Sequence, residues 1–453
     1  MYITQQVPLP PVWLAIPFVA LLLMIATGPL FFPHFWHRNY PKIALMLATL
    51  VMGYYMLVLD NTIKPVEAVA EYVQFITVIV ALYMATGGIA ITVHAQGTPF
   101  VNTMFLLSGA IMANLIGTTG ASMLLLRAYL QLNKGRIRAY HIVFFIFIVS
   151  NVGGALTPIG DPPLFLGFLK GIPFAWAAKH NLLPWTTALL VLLGLFYRID
   201  ARNQNQFVAP KDKKRQSDFG IVSVRGSQNF LWIATIIAAI FLDPNVWSWV
   251  PSINYHGHSI SFVRELILLM VAIFSRFTTD QESLRLNRFS LEPLREVCLI
   301  FIGIFGTMIP ALELIGGFAQ SDMGKQLLSP STLYWGTGLF SSFLDNAPTY
   351  LNFATASMAS QGASIALVSN VQAYAAGGVY PHSVLCLKAI SVASVFFGAM
   401  TYIGNGPNFM VKAIAEQEGI SMPSFGKYIL RFSVPLLLPV LLLVWMLFFC
   451  GTT

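Results

Sequence analysis

Long apolar segments separated by short polar loops run through the whole chain. We interpret ten of these segments as membrane-spanning helices, because a helix needs roughly 20 mostly apolar residues to cross a bilayer. The predicted spans are residues 12–30, 42–59, 71–93, 140–168, 182–198, 229–243, 260–276, 294–318, 383–415 and 425–450. The pattern predicts an all-α polytopic membrane protein.

Two further apolar stretches, residues 98–132 and 330–360, are interrupted midway by small, polar or helix-breaking residues. The interruptions are Ala113–Ser122 and Ser341–Tyr350, which we call the first tip and the second tip. Irregular backbone inside a bilayer survives only where protein surrounds it or where it lines a cavity. We therefore predict that both stretches are re-entrant hairpins, which enter and leave the membrane on the same side.

The composition agrees with a membrane protein and excludes other classes. Of the 453 residues, 56% are hydrophobic and 10% are charged, and the mean hydropathy of +0.70 is far from that of a soluble domain. The net charge of +8 lies in loops beside spans, where it indicates topology and not nucleic-acid binding. The sequence has no zinc-protease motif, nucleophile elbow or phosphate-binding loop, so we do not expect an enzyme.

Cys298, Cys386 and Cys450 lie in or at the end of apolar runs. We expect them to be small apolar side chains, with no disulfide framework or metal spacing, and we expect no bound cofactor. The first apolar run is long enough to span and has no basic segment before it, so a cleaved signal peptide is not expected.

Lysine and arginine residues are concentrated in alternate loops, which the positive-inside rule assigns to the cytoplasm. The basic residues on this predicted side are Arg38, Lys42, Lys134, Arg136, Arg138, Arg198, Arg202, Lys211, Lys213, Lys214, Arg215, Arg225, Arg276, Arg285, Arg288, Arg295, Lys427 and Arg431. Asp60, Glu67, Glu71, the Trp-rich loop 242–258 and both termini are then outside. We expect a multi-pass protein of a bacterial inner membrane.

Two segments, one in each half, repeat nearly the same sequence. Gly154–Pro163 reads GALTPIGDPP and Gly398–Pro407 reads GAMTYIGNGP, so Gly, Ala, Thr, Ile, Gly and Pro recur in register. Both segments follow apolar runs and are rich in helix breakers. We predict that each interrupts a helix inside the bilayer, and we call them the first break and the second break. Paired breaks in corresponding halves indicate a secondary transporter with its site between them.

Each half contains five predicted crossings and one hairpin, and an odd number of crossings inverts the second half relative to the first. The first repeat, 1–198, comprises scaffold helices 12–93, hairpin 98–132, broken helix 140–168 and helix 182–198. A basic linker, 199–228, follows. The second repeat, 229–453, comprises scaffold helices 229–318, hairpin 330–360, broken helix 383–415 and helix 425–450. Inversion brings the two tips together near the midplane.

Two carboxylates stand at predicted interruptions, Asp161 in the first break and Asp345 in the second tip. An ionisable side chain inside a membrane costs about 2.5 to 3.5 kcal/mol on insertion scales, so it is a functional candidate by default. Oxygen cages suit sodium, and a buried carboxylate can instead take a proton. We predict sodium at both carboxylates: Asp161 with Thr118, Thr119 and Thr157, and Asp345 with Asn346, Thr349, Thr401, Asn405 and Asn408. The full predicted cation- or substrate-binding set is Asn114, Thr118, Thr119, Asn151, Thr157, Gly160, Asp161, Asp345, Asn346, Thr349, Thr401, Gly404, Asn405 and Asn408.

Structural roles compete with these assignments. Asp161 and Asp345 could each only cap the helix that follows. Glu313, after Pro310, is a candidate third proton-linked carboxylate, along with Asp161 and Asp345. His94 suits an interfacial structural histidine, Lys388 a snorkelling side chain, and Lys412 an ion pair with Glu416 one turn later.

The order of a hairpin tip followed by a helix broken at Thr157–Pro163 (TPIGDPP), repeated with inversion, resembles the ion transporter superfamily. This superfamily includes NhaD-type sodium/proton antiporters, arsenite efflux permeases, citrate carriers and divalent anion/sodium symporters. Ser150–Gly154, Thr157–Asp161 and Leu344–Pro348 look most similar to the NhaD type. In dicarboxylate symporters neutral residues stand where this chain has Asp161 and Asp345. The resemblance implies a homodimer in which hairpins and broken helices move as a transport unit, like an elevator, against the scaffold helices.

The two carboxylates predict sodium/proton antiport, because sodium and a proton that compete for one carboxylate are exchanged across the membrane. The alternative is sodium-coupled symport of citrate or a dicarboxylate, with the small carboxylate bound at Thr118, Thr119 and the Asn-rich second half. Two carboxylates near an anionic substrate disfavour symport unless bound cations or protons neutralise them. A channel would not need two inverted breaks. The expected partners are sodium, protons and the lipid bilayer.

Overall fold

The computed structural model describes residues 9–93, 97–204, 222–242, 249–255 and 258–451. Eight helical segments among these residues, counting the continuous run Pro99–Leu132 as one, are long and apolar enough to cross a membrane. This confirms the predicted fold class, an all-α polytopic membrane protein. His94, the basic run 211–215 and both chain termini lie outside the described residues.

The first half is a series of helices with one short strand. Its elements are α1 (Ile16–Phe31), α2 (Pro33–Leu57), α3 (Ile63–Gly87), β1 (Ala90–Val93), α4 (Pro99–Leu132), α5 (Ala139–Ile148), α6 (Pro162–Leu169) and α7 (Trp176–Gln204). The prediction of one helix over 71–93 is wrong at its end, because the Gly87–Gly88 pair ends α3 and β1 follows. The β-branched run Ile91–Val93 suits a strand.

The second half repeats this order with more short connecting elements. Its elements are β2 (Val222–Arg225), α8 (Asn229–Ile240), β3 (Ile253–Tyr255), β4 (His258–Ile260), α9 (Val263–Thr278), α10 (Gln281–Leu286), α11 (Glu292–Gln320), α12 (Asp322–Leu327), α13 (Pro330–Phe343), α14 (Asn346–Ser360), α15 (Val368–Ala376), α16 (Ser383–Phe397), α17 (Gly406–Gln417), α18 (Phe425–Tyr428) and α19 (Leu438–Phe448). A π-helix, Ile429–Leu437, joins α18 to α19. The strands pair antiparallel, β1 with β2 and β3 with β4, with Ala90 opposite Arg225 and Ile253 opposite Ile260.

The segment α4 is a hairpin and not a straight helix. Gly117 has φ 79° and ψ 153°, a conformation that glycine adopts without strain, and the chain turns back there. The side chains of Asn102 and Asn133 exchange two hydrogen bonds of 2.8 Å. In a straight helix these residues would lie about 46 Å apart, at 1.5 Å per residue. The chain therefore folds back at the first tip, as the predicted hairpin requires.

The second hairpin consists of α13 and α14, with Leu344 and Asp345 between them. Its arms also fold against each other, since the rings of Phe340 and Phe353 lie 5.8 Å apart.

The long helix α7 shows that the two hairpins open at opposite ends of the molecule. At its start, Trp176 donates a 2.8 Å hydrogen bond to the carbonyl of Ala375 in α15, and α15 is bonded to the outgoing arm of the second hairpin through Tyr374 and Ser357. Near its end, Asp200 accepts a 2.9 Å bond from Asn102 at the open end of the first hairpin. These ends of α7 are about 36 Å apart, so the two hairpins open in opposite directions, as inversion of the repeats would require.

Both predicted breaks interrupt helices. The first separates α5 from α6, and the second separates α16 from α17. In each break two glycines approach so closely that a Cβ on the later one would lie 2.1 Å (Gly160) or 2.6 Å (Gly404) from the carbonyl oxygen of Gly154 or Gly398. The repeated glycines of the sequence therefore allow each unwound loop to fold tightly on itself.

Candidate functional site

A single buried carboxylate, Asp161, joins the two tips and the two breaks. Asp161 Oδ1 accepts hydrogen bonds from Thr118 Oγ1 at 2.7 Å and from Asn405 Nδ2 at 3.1 Å. Asp161 Oδ2 accepts a 2.5 Å bond from Asn346 Nδ2. Only 1% of Asp161 is exposed. One side chain in the first break thus receives donors from the first tip, the second tip and the second break.

Local backbone geometry directs Asp161 away from its own helix. Pro162 and Pro163 begin α6, and the preceding Asp161 is extended, with φ −146° and ψ 144°. Although Asp161 occupies the N-cap position, its carboxylate accepts no hydrogen bond from a backbone N–H of α6. Capping is therefore not its role, and both carboxylate oxygens are available to the tips.

The other first-half candidates hold the first break against the first tip. Asn114 donates a 2.6 Å bond to the carbonyl of Gly153 and accepts a 2.9 Å bond from the N–H of Leu156. Thr157 Oγ1 donates to the carbonyl of Asn114 at 2.5 Å. Thr157, predicted beside Asp161, therefore orients the backbone of the site and not its carboxylate.

Asparagine side chains join the two breaks directly. Asn151 Nδ2 donates to Asn408 Oδ1 at 2.7 Å, and Asn405 Nδ2 lies 3.1 Å from the carbonyl of Ser150. Asn408 in turn donates to the carbonyls of Gly398 and Thr401, at 2.8 and 2.9 Å. These fully buried amides satisfy backbone carbonyls that the unwound helices leave without partners.

Thr401 fastens the second break to the second tip. Its Oγ1 donates to the carbonyl of Ser342 at 2.5 Å and accepts from the N–H of Gly404 at 3.1 Å. Thr157 makes the equivalent bonds in the first half, to Asn114 and from Gly160. The repeated threonines of the two breaks therefore have the same structural role.

The predicted oxygen cage around Asp345 is not formed in this structure. Asp345 Oδ1 accepts a 3.0 Å bond from the N–H of Ala347 and caps α14, while Thr349 donates to the Asp345 carbonyl at 2.9 Å. Asn346 and Asn405, predicted beside Asp345, donate to Asp161 instead. The helix start turns Asp345 towards its own N–H groups, and the next residue, Asn346, points across to Asp161.

A cavity with an open mouth lies beside Asp161, between α3 and the first tip. The α3 side chains that line it are Phe75, Val78, Ile79, Leu82 and Tyr83, and its polar side includes Thr118, Thr119 and Asp161. No Lys, Arg or His is among its lining residues. The electrostatics of this cavity favour a cation or a proton at Asp161 over an anion.

The atoms at this site that could bind a cation are oxygens. In the part of the chain that the structure describes, no group of three or more His, Cys, Asp or Glu side chains could hold a metal ion. Asn346 Oδ1 is buried in the site and has no hydrogen-bond partner among the described residues. Together with Asp161 it offers oxygen ligands of the kind that sodium accepts.

The remaining predicted candidates lie away from this carboxylate. Glu313 Oε2 accepts a 2.6 Å bond from Tyr55, and Lys412 forms the predicted pair with Glu416 at 2.9 Å. Lys388 lies over the ring of Phe448, 4.7 Å from its centre.

Sequence reasoning missed a second buried charged cluster and the apolar wall of the cavity. Asp200, fully buried, accepts bonds from Tyr140 at 2.5 Å, from Asn102 and from Arg136, and His141 Nε2 lies 3.1 Å away. This cluster fixes the open end of the first hairpin to α5 and α7. An aspartate between Arg198 and Arg202, directly after the predicted span 182–198, was the available signal, whereas the α3 wall residues look like those of any spanning helix.

Comparison with known proteins gives the family. A search of curated protein sequences found no match. A family model described as "Putative citrate transport" matches residues 7–449. Because the match covers nearly the whole chain, and because paired tips and breaks suit a secondary transporter, this membrane protein belongs to that family of secondary transporters.

Proposed function

We propose that the protein exchanges sodium for protons across the membrane, with Asp161 as the shared binding site. The observation that carries this proposal is the convergence of three hydrogen-bond donors, from the first tip, the second tip and the second break, on one buried carboxylate. A buried charge without a partner is costly, so Asp161 is suited to hold either a cation or a proton at all times.

Competition at this carboxylate produces exchange. Sodium and a proton cannot both occupy one carboxylate, so each must leave before the other binds. Alternating access then carries sodium in one direction and protons in the other. Asp345 is a second, proton-linked carboxylate in this proposal. The hairpins and broken helices move together against the scaffold helices, in a homodimer.

The second candidate is cation-coupled symport of citrate or a similar small carboxylate. Family membership favours it, and Asp161 lines a cavity beside the first tip from which a solute could reach it. Because no basic residue lines that cavity, the anion would need cations or protons at the site to neutralise Asp161 and its own charge.

Transport in proteoliposomes tests both candidates. We expect sodium to dissipate an imposed proton gradient, and we expect Asp161→Asn to abolish this dissipation. The asparagine amide carries no negative charge, so it cannot take up a proton and cannot attract sodium as a carboxylate does. Glu416→Gln, which removes an exposed carboxylate outside the site, is the matched control and is expected to retain activity. If sodium leaves the gradient unchanged while citrate uptake is saturable, the exchange proposal fails and symport replaces it.

A further inference from the structure

One face of α14 carries polar side chains along much of its length. Asp345, Thr349, Asn352 and Thr355 follow one another at intervals of three or four residues, which places them on the same side of the helix. The small residues Ala356 and Ala359 continue this side towards the open end of the second hairpin.

This polar face of α14 packs against α11. A Cβ added to Gly316 in α11 would lie 3.8 Å from Thr355 Cγ2 and 3.9 Å from Ala359 Cβ. Since Gly316 has no side chain, the two helices approach closely there, and little apolar material separates the polar groups of α14 from α11.

Both helices run towards the same end of the molecule. Arg288, shortly before α11, forms a 2.9 Å ion pair with Glu418, which also pairs with Arg127 near the open end of the first hairpin. α11 thus begins near the open end of the first hairpin. α14 runs from the second tip to the open end of the second hairpin, which lies at the opposite end of the molecule, so α11 and α14 are parallel. Glu313, one turn before Gly316, therefore lies at the level of Asn352, one turn before Thr355.

Two polar atoms on this face are buried without a partner. Asn352 Oδ1 and Thr355 Oγ1 make no hydrogen bond within the described residues. Thr355 is only 8% exposed, so bulk solvent does not supply the missing partner. Buried polar groups are nearly always hydrogen-bonded, and ordered water is the usual partner where protein supplies none.

We propose that water occupies the contact between α11 and α14 and forms an aqueous path for monovalent cations and protons from the open end of the second hairpin to Asp345. Glu313 of α11, whose carboxylate accepts a hydrogen bond from Tyr55 of α2, contributes negative charge at the edge of this path. The path deepens the exchange function proposed above and rests on it only for the identity of the ions. Its test needs no transport activity.

Silver ions probe the path directly, because they are water-borne monovalent cations that bind thiols. In protein whose cysteines 298, 386 and 450 are replaced by serine, held in lipid nanodiscs, we expect silver to react with Asn352→Cys and Thr355→Cys. The matched controls are Ala354→Cys, buried on another side of α14, and Leu339→Cys, which is 61% exposed on an apolar surface. If water fills the contact at residues 352 and 355, silver should react at these cysteines about tenfold faster than at either control cysteine, or faster still.

Equal or slower reaction at residues 352 and 355 would overturn the path, whatever the transport assay shows. Glu313→Gln provides a second measurement in the Thr355→Cys protein. Loss of the Glu313 charge should slow the reaction of silver by about threefold, because a carboxylate attracts a cation only weakly through water. Glu416→Gln should leave the reaction rate unchanged. An unaltered rate in Glu313→Gln would remove Glu313 from the path.

Discussion

At the residue scale, two aspartates at backbone interruptions have different structural roles. Asp161 and Asp345 both precede a helix, yet Asp345 accepts a bond from the start of its own helix while Asp161 accepts three from distant segments. The difference follows from the proline pair after Asp161, which extends its backbone and removes nearby N–H donors. A cation or proton bound at Asp161 would therefore change hydrogen bonds to residues of both halves.

Thr118→Val tests the hydrogen bond to Asp161. Valine keeps the shape but cannot donate to a carboxylate, and a hydrogen bond to a charged group contributes about 1.5 to 3 kcal/mol. We expect the sodium concentration for half-maximal exchange to rise at least about tenfold, because tenfold corresponds to about 1.4 kcal/mol, the lower end of this range.

The control is the neighbouring Thr119→Val, because Thr119 lines the cavity but donates no hydrogen bond to Asp161 in the described structure. If both variants change the sodium dependence equally, the cavity wall and not the Thr118 bond determines affinity.

At the element scale, each break depends on the close approach of two glycines. The carbonyl of Gly160 accepts a 2.8 Å bond from the N–H of Thr118, so the loop of the first break also supports the first tip. Displacing this loop would move Asp161 and Thr118 together. The first break and the first tip therefore form one structural unit, and the geometry of the site depends on it.

Gly160→Ala should destabilise this unit. The new methyl group would lie 2.1 Å from the carbonyl oxygen of Gly154, and such overpacking typically costs about 1 to 3 kcal/mol. Thermal unfolding of the purified protein in detergent, followed by size-exclusion chromatography, measures the loss. Gly406→Ala, at the start of α17, is the control because nothing lies within 4 Å of its added Cβ. Equal melting temperatures for both variants would contradict this account of the break.

At the scale of the whole molecule, Glu418 lies where the proposed transport unit meets the scaffold. It pairs with Arg127 of the first hairpin at 3.3 Å and with Arg288 of the scaffold at 2.9 Å. At the other end of the molecule, Lys170 pairs with Glu71 of α3 at 2.5 Å. Ion pairs at both ends thus cross the interface at which the proposed movement takes place.

Cross-linking distinguishes a moving unit from a rigid molecule. In the cysteine-free background, a reducible bis-maleimide between Glu418→Cys and Arg288→Cys should stop exchange, because it fixes the transport unit to the scaffold. The same reagent between Glu418→Cys and Arg127→Cys should leave exchange intact, since both positions move together. Exchange in proteoliposomes before and after reduction measures both. Full exchange with the 288–418 cross-link in place would rule out movement at this interface.

The sequence predicted most elements of the site but not which of them bond to each other. The apolar runs and the TPIGDPP and GNGP segments identified both breaks and both tips, because helix breakers act locally. The pairing of Asn405 and Asn346 with Asp161 was not predicted, since each amide could satisfy any acceptor within reach. The strand β1 and the buried Asp200 cluster were missed because their partners lie in distant segments.

The sequence alone determined the membrane class, the two hairpins, the two breaks and their repetition, because hydrophobic length and helix-breaking residues are properties of short segments. Only the tertiary structure decided that Asp161, and not Asp345, receives donors from both halves. Asn346 and Asn405 are 185 and 244 residues from Asp161 along the chain. Their approach results from the packing of inverted hairpins, which brings buried polar groups together wherever their hydrogen bonds can be satisfied.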